Sequence, residues 1–234
     1  MNIKIYRRAL AKLYAPPRFF FLCALFFMGF AFLSAQEVFD YPLNDDTLAR
    51  YTEICTRLSD HPLIKGSFEQ TKTIMRLGRS LNSKGSFIIA AELGMVWDTV
   101  TPFPSTIAVG RDFIIMTGPG GLKTKVDAQG NETFVSIADT MSAVFSGNTR
   151  TLRDKFENYF VENRETGTWT LGLIPNDNAV RVFARHIVLT GGSDPVLIQS
   201  IVIYSQNGDT ISYSMRNHHF PAVLEPNEKD LFSL

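Results

Sequence analysis

Cysteine is nearly absent from this 234-residue chain, which has Cys23 and Cys55 and no third. Cys23 lies in an apolar N-terminal run. Once that run is removed a single thiol remains, so an internal disulfide is excluded and an exported chain must rely on packing. Histidine is scarce too: His61, His186, His218 and His219. None stands at metal-ligand spacing from another His, Cys or carboxylate, and adjacent His218 and His219 on a strand would point to opposite faces. No G-x-S-x-G elbow and no HExxH occurs, and Gly118-Pro-Gly-Gly121 lacks the Lys-Ser/Thr and helix that complete a phosphate loop. Asp98, Asp112 and Asp127 fall near strand ends, where turn roles suffice. The catalytic arrangement left open is a pair of carboxylates converging in one cleft. The expectation is a protein that is not an enzyme and carries no cofactor and no metal.

Acid is also missing from residues 1–36, where Lys4, Arg7, Arg8, Lys12 and Arg18 precede an apolar run, Phe19 to Leu33, and then Ser34-Ala35. That order predicts a secretory signal peptide over 1–35, cut after Ala35, and a periplasmic location. The run is shorter than the ~20 residues that span a bilayer, and an uncleaved anchor is the alternative. Residues 36–234 are expected to form one domain. With five of the 23 Lys+Arg and none of the 23 Asp+Glu removed, 18 cations face 23 acids, a charge of −5. That balance argues against nucleic acid as a partner and against stable attachment to anionic membranes.

Periodicity divides the remainder. Leu48, Tyr51, Ile54, Cys55 and Leu58 recur at spacings of three and four, predicting a helix within 44–60 capped by Asn44 or Asp45. Cys55 falls on its apolar stripe as a small buried hydrophobe. Short strands are predicted near 64–76, 81–91, 94–101, 104–109, 112–117, 122–126 and 132–135, with a polar turn at 127–131. Helical spacing returns over 136–145, opened by Ser136 and Asp139, and again near 151–156. Strands follow at 157–163, 167–174, 182–190, 195–205 and 209–217. The fold class is therefore mainly β (α+β): one large curved antiparallel sheet, an incomplete barrel, with helices on its concave side.

Several of these strands are apolar on both faces. Phe87 and Ile89 alternate with Ile88 and Ala90, Met95 and Trp97 flank Val96, and Ile107, Val109, Phe113 and Ile115 alternate with Ile114 and Met116. Either both faces are covered by core, or one lines a cavity for an apolar ligand. An acyl chain of roughly 15 methylenes would gain on the order of 12 kcal/mol gross on burial, before ordering and association costs.

Motifs in order along the chain add to this reading: Gly66-Ser-Phe68-Glu-Gln70, Ser83-Lys-Gly85-Ser-Phe87, Gly94-Met-Val-Trp97 with Thr101-Pro102, the Ile107–Ile115 hairpin, Leu171-Gly-Leu-Ile-Pro175, and Asp230-Leu-Phe232-Ser-Leu234. Together they resemble the LolA-like family of outer-membrane lipoprotein carriers, closest to its LolA-related subgroup. The resemblance implies a half β-barrel capped by lid helices and a closing C-terminal strand. It also implies a hydrophobic cavity for acyl chains and a chaperone-like shuttle between inner and outer membrane. Acylated lipoproteins or other lipids are the implied partners, along with an inner-membrane releasing transporter and an outer-membrane acceptor; the carrier itself would be a monomer. The carrier proper has Arg-Pro between its second and third strands, held to lock the lid. Here the segment reads Ala90-Ala-Glu-Leu-Gly94, so that lock does not carry over.

The candidate lipid-binding residues are Phe68, Phe87, Ile89, Met95, Trp97, Val109 and Ile115 on the sheet, with one parity taken per strand. Met141, Val144 and Phe145 would belong to the lid. The alternatives are a related envelope lipid-binding protein and a structural interaction module with a filled core.

Overall fold

The computed structural model describes residues 37–110, 112–127, 139–140, 142–145, 147–193 and 195–233. The expected signal peptide, most of the 127–131 turn, the strand at 132–135 and the first part of the 136–145 helix lie outside the described residues.

The first helix, α1 (Asp45–Leu58), forms where the spacing predicts. Asn44 caps it: its Oδ1 accepts from the Thr47 N–H at 3.1 Å, and the Thr47 hydroxyl accepts from the Asn44 N–H at 3.2 Å. Two orphan donors are thereby satisfied. Tyr51, Ile54, Cys55 and Leu58 are buried along one stripe. Six strands follow: β1 (Leu63–Ile74), β2 (Arg79–Ala90), β3 (Gly94–Thr101), β4 (Ser105–Val109), β5 (Phe113–Thr117) and β6 (Lys123–Asp127). After α2 (Thr149–Lys155) come β7 (Phe156–Asn163), β8 (Thr168–Pro175), the single turn α3 (Asn178–Arg181), β9 (His186–Ser193), β10 (Val196–Tyr204) and β11 (Thr210–His219).

Two boundaries differ from expectation. The strand predicted from residue 182 starts at His186, because the Asp177 carboxylate accepts from the Ala179 N–H at 2.7 Å and opens α3 instead. The C-terminal strand implied by the resemblance is replaced by α4 (Pro226–Lys229) and a 3-10 turn, Asp230–Phe232. Proline at the first turn and the Glu225–Glu228 capping box favour helix there.

All eleven strands form one antiparallel sheet in the order β6-β5-β4-β3-β2-β1-β11-β10-β9-β8-β7. Among the described residues its edges, β6 and β7, do not pair, so the barrel is open. The open, helix-capped half-barrel implied by the LolA resemblance is the fold observed. Two meanders meet where β1 pairs β11, joining the first and last strands.

A repeated tripeptide fixes the β1–β2 register. Gly66-Ser-Phe68 and Gly85-Ser-Phe87 run antiparallel, so Phe87 sits opposite Gly66 and Phe68 opposite Gly85. Each ring lies over the partner glycine. A Cβ on Gly66 would come within 2.6 Å of the Phe87 ring, and one on Gly85 within 2.9 Å of Phe68. Glycine is required there by close approach rather than by a turn.

Both faces of the sheet are covered. The inner face holds the main core, in which α1, residues 143–145 and Leu152 of α2 pack on Phe68, Phe87, Phe156, Phe160, Trp169 and Leu173. On the outer face of β2–β5, Ile88, Ala90, Val96, Ala108 and Ile115 are covered by Leu224, with Leu231 and Phe232 packed against them. The doubly apolar strands therefore reflect two core layers. The C-terminal segment supplies the second, fastened by Lys65 to Glu228 at 2.5 Å and by the Lys123 ammonium to the Ser233 carbonyl at 2.8 Å.

Candidate functional site

The inner face of β1–β3 and β11 presents a cluster of rings around Trp97. Phe68, Phe87, Tyr213 and Phe145 have ring centroids 5.5, 5.6, 5.6 and 5.9 Å from it. Phe87 stacks on Trp97, Phe68 and Phe145 lie tilted to it, and Tyr213 meets it edge-on. Strand register assembles the group: Phe87 pairs Trp97, Gly85 pairs Phe68, and Gln70 pairs Tyr213. Phe145 reaches in from the helical residues 142–145, which end at Gly147. Gly147 has φ +60, and a Cβ there would collide with the Cys55 carbonyl, so this turn seats directly on α1.

The cluster contains two polar handles. The Gln70 amide donates to the Tyr213 hydroxyl at 3.1 Å, and burial raises the Tyr213 pKa, so the phenol stays protonated. The Trp97 indole N–H is buried and has no hydrogen-bond partner among the described residues. An unpaired buried donor is uncommon in a native fold and calls for an explanation. At the cluster edge burial lowers the His218 pKa despite a backbone hydrogen bond at Ile198, and its neutral ring lies 5.6 Å from Phe87. Beneath it, burial pushes the Cys55 thiol up to about 12, which suits a packing role rather than a reactive one.

The candidate residues distribute as follows. Phe68, Phe87, Met95, Val109, Val144 and Phe145 are buried in the inner core, with Ile89 and Trp97 partly buried against it. Ile115 is not with them: it belongs to the outer cluster, and Ile114 takes its place on the inner face. The reason is register. Val109 pairs Ile114 across four intervening residues, and an even count exchanges odd for even numbers on a face. Met141 lies outside the described residues. Tyr213, Met215 and His218 of β11 were missed; only the β1–β11 pairing places them here, and no local pattern signals it.

Beyond Trp97 the inner face opens. Trp97 pairs Ile107 and Ile107 pairs Met116, so the three share a face. Ile107 is 42 % and Met116 43 % exposed. The covered part is closely packed. A cavity of about 20 Å³ lies among Leu58, Ile64, Phe87, Phe145, Met215 and His218, far below the ~300 Å³ at which ligand pockets begin. A roomier depression of about 220 Å³ sits at the start of α1, among Leu43, Asn44, Leu48, Arg153 and Asn158. Being open, polar and remote from the ring cluster, it offers an acyl chain little. Among the described residues no three His, Cys, Asp or Glu gather to hold a metal, and no helix is long and apolar enough to cross a membrane.

No family model matches the chain, and no curated protein matches it. Solved structures do. A domain assigned to outer membrane lipoprotein sorting in Vibrio parahaemolyticus is similar at 10 % identity and TM-score 0.45, over 78 % of this chain and 97 % of that one. A LolA superfamily protein from Nitrosomonas europaea is similar at 7 % identity and TM-score 0.42, over 78 % and 96 %. MucB, in its complex with MucA from Pseudomonas aeruginosa, is similar at 13 % identity and TM-score 0.44, over 78 % and 59 %. At such identities a common fold does not fix a common function.

Proposed function

We propose that this protein is a non-enzymatic periplasmic carrier of acyl chains, with acylated lipoproteins as the leading cargo. The observation that carries the reading is the inner-face row Phe87–Trp97–Ile107–Met116. It runs from a buried ring cluster to exposed apolar residues without a polar interruption. A chain entering from the exposed half would meet Trp97 next. Displacing Phe145 and residues 142–145 would extend the groove, since the pocket beside Phe145 holds about 20 Å³, room for little more than a water. The unpartnered Trp97 N–H would then donate to the carbonyl of an ester- or amide-linked acyl group. No covalent step and no cofactor is involved.

Titration with a fluorescent diacyl lipopeptide tests this. The expected result is saturable binding that Trp97→Phe weakens for ester-linked chains but leaves unchanged for a plain hydrocarbon. No saturable binding by the folded protein would overturn the carrier reading. Close packing of the inner core favours the second reading, an envelope interaction module with a filled interior, and that module would give the negative result.

A further inference from the structure

One end of the sheet collects exposed apolar side chains on separate turns. Because β1 to β6 alternate in direction, the β1–β2, β3–β4 and β5–β6 turns emerge at the same end. Pairing of Thr73 with Thr210 and of Tyr204 with His186 brings the β10–β11 turn and the α3 loop to that end as well. Met75 and Leu77, at the β1–β2 tip, are 63 % and 59 % exposed. Phe103 on the β3–β4 turn and Leu122 on the β5–β6 turn are each 76 % exposed, and Val182 beside α3 is 72 % exposed.

Cations outnumber acids among these residues, with Asp177 at the start of α3 and Asp209 in the β10–β11 turn as the acids. Residues 71–82, 99–106, 117–122 and 178–185 contain Lys72, Arg76, Arg79, Arg181 and Arg185 and no Asp or Glu. None of the five cations forms an ion pair among the described residues. Asp209, in the neighbouring β10–β11 turn, accepts from the Met75 N–H and the Asn207 amide. Net acidity argues against anionic membranes for the chain as a whole, but it does not describe this rim.

We infer that the rim docks on the surface of an anionic lipid bilayer, its apolar tips entering the headgroup layer and its cations meeting lipid phosphates. A bilayer accepts separate knobs without matching pockets, and apolar insertion combined with basic residues is how interfacial binding gains strength. The inference does not rest on the carrier reading, because a filled-core module would dock in the same way.

The test reads depth locally, since the apolar N-terminal run of the full chain could tether it independently. Leu77→Trp and Phe103→Trp report on the rim, and Leu93→Trp on the β2–β3 turn at the other end is the control. Each is mixed with phosphatidylethanolamine–phosphatidylglycerol vesicles carrying brominated acyl chains. The native Trp97 and Trp169 give the background, recorded on the unmodified chain. Quenching is expected at 77 and 103, not at 93, and not with phosphatidylcholine vesicles. Adding Arg76→Gln with Arg79→Gln should weaken it on the order of tenfold. Quenching absent at the rim, equal at all three sites, or indifferent to vesicle charge would overturn the inference. So would capture of the rim by a protein partner with no vesicle response.

Discussion

Trp97 is the residue on which packing and proposed binding meet. Four rings surround it, so Trp97→Ala would leave a large void and cost about 3–5 kcal/mol. That loss would mask any effect on binding. Trp97→Phe separates the two roles. It keeps a ring in the cluster and removes the unpartnered N–H, whose burial costs about 1–3 kcal/mol. Urea unfolding should show Trp97→Phe within about 1.5 kcal/mol of the parent, because the relieved donor offsets the smaller ring. A loss as large as that of Trp97→Ala would mean the indole is held by contacts other than those described.

Glu228 gives a second prediction at the same scale. Burial pushes its carboxyl pKa up, but hydrogen bonds from Lys65 and the Glu225 N–H, with the Lys65 charge, outweigh it and hold it below the ordinary 4.5. A depressed folded pKa contributes stability above the unfolded value, and that contribution is lost as pH falls through the folded value. Glu228→Gln should therefore lower stability on the order of 1–3 kcal/mol at neutral pH and flatten the decline below pH 4.5. Melting curves across acid pH check this, and an unchanged acid limb would contradict it.

At the scale of elements, the C-terminal segment explains why β2–β5 are apolar on both faces. Leu231→Ser with Phe232→Ser should uncover Ile88, Val96 and Ile115, lower stability by about 2–4 kcal/mol and raise dye binding to exposed apolar surface. Acyl binding by the fraction still folded should persist, because the inner cluster is untouched. Here the sequence was legible in part. Alternation and turn residues located every described strand, and three-and-four spacing located α1. Asp230–Leu234, which the resemblance reads as a closing strand, instead follows α4 into a 3-10 turn at Asp230–Phe232. Ile115 fell on the wrong face because loop parity depends on which residues pair, and pairing is not written in either strand alone. Tyr213 and His218 lie some 140 residues from their β1 neighbours, as Gln70 to Tyr213 illustrates with a separation of 143. Only the closure of β1 on β11 brings such residues together.

For the whole molecule, the open half-barrel was legible as a class, because two runs of strands around a helical interlude have few ways to cover their apolar faces. The degree of closure was not: composition serves a filled core and a covered groove equally well, and the pocket beside Phe145 holds about 20 Å³. What decides between them is whether the residues around Phe145 yield to a ligand. Native mass spectrometry of the protein purified gently from its own envelope addresses this most directly. The account predicts co-purified acyl species that dissociate on collisional activation and are depleted in Trp97→Phe. A clean ligand-free mass that takes up no added acyl lipopeptide would contradict it.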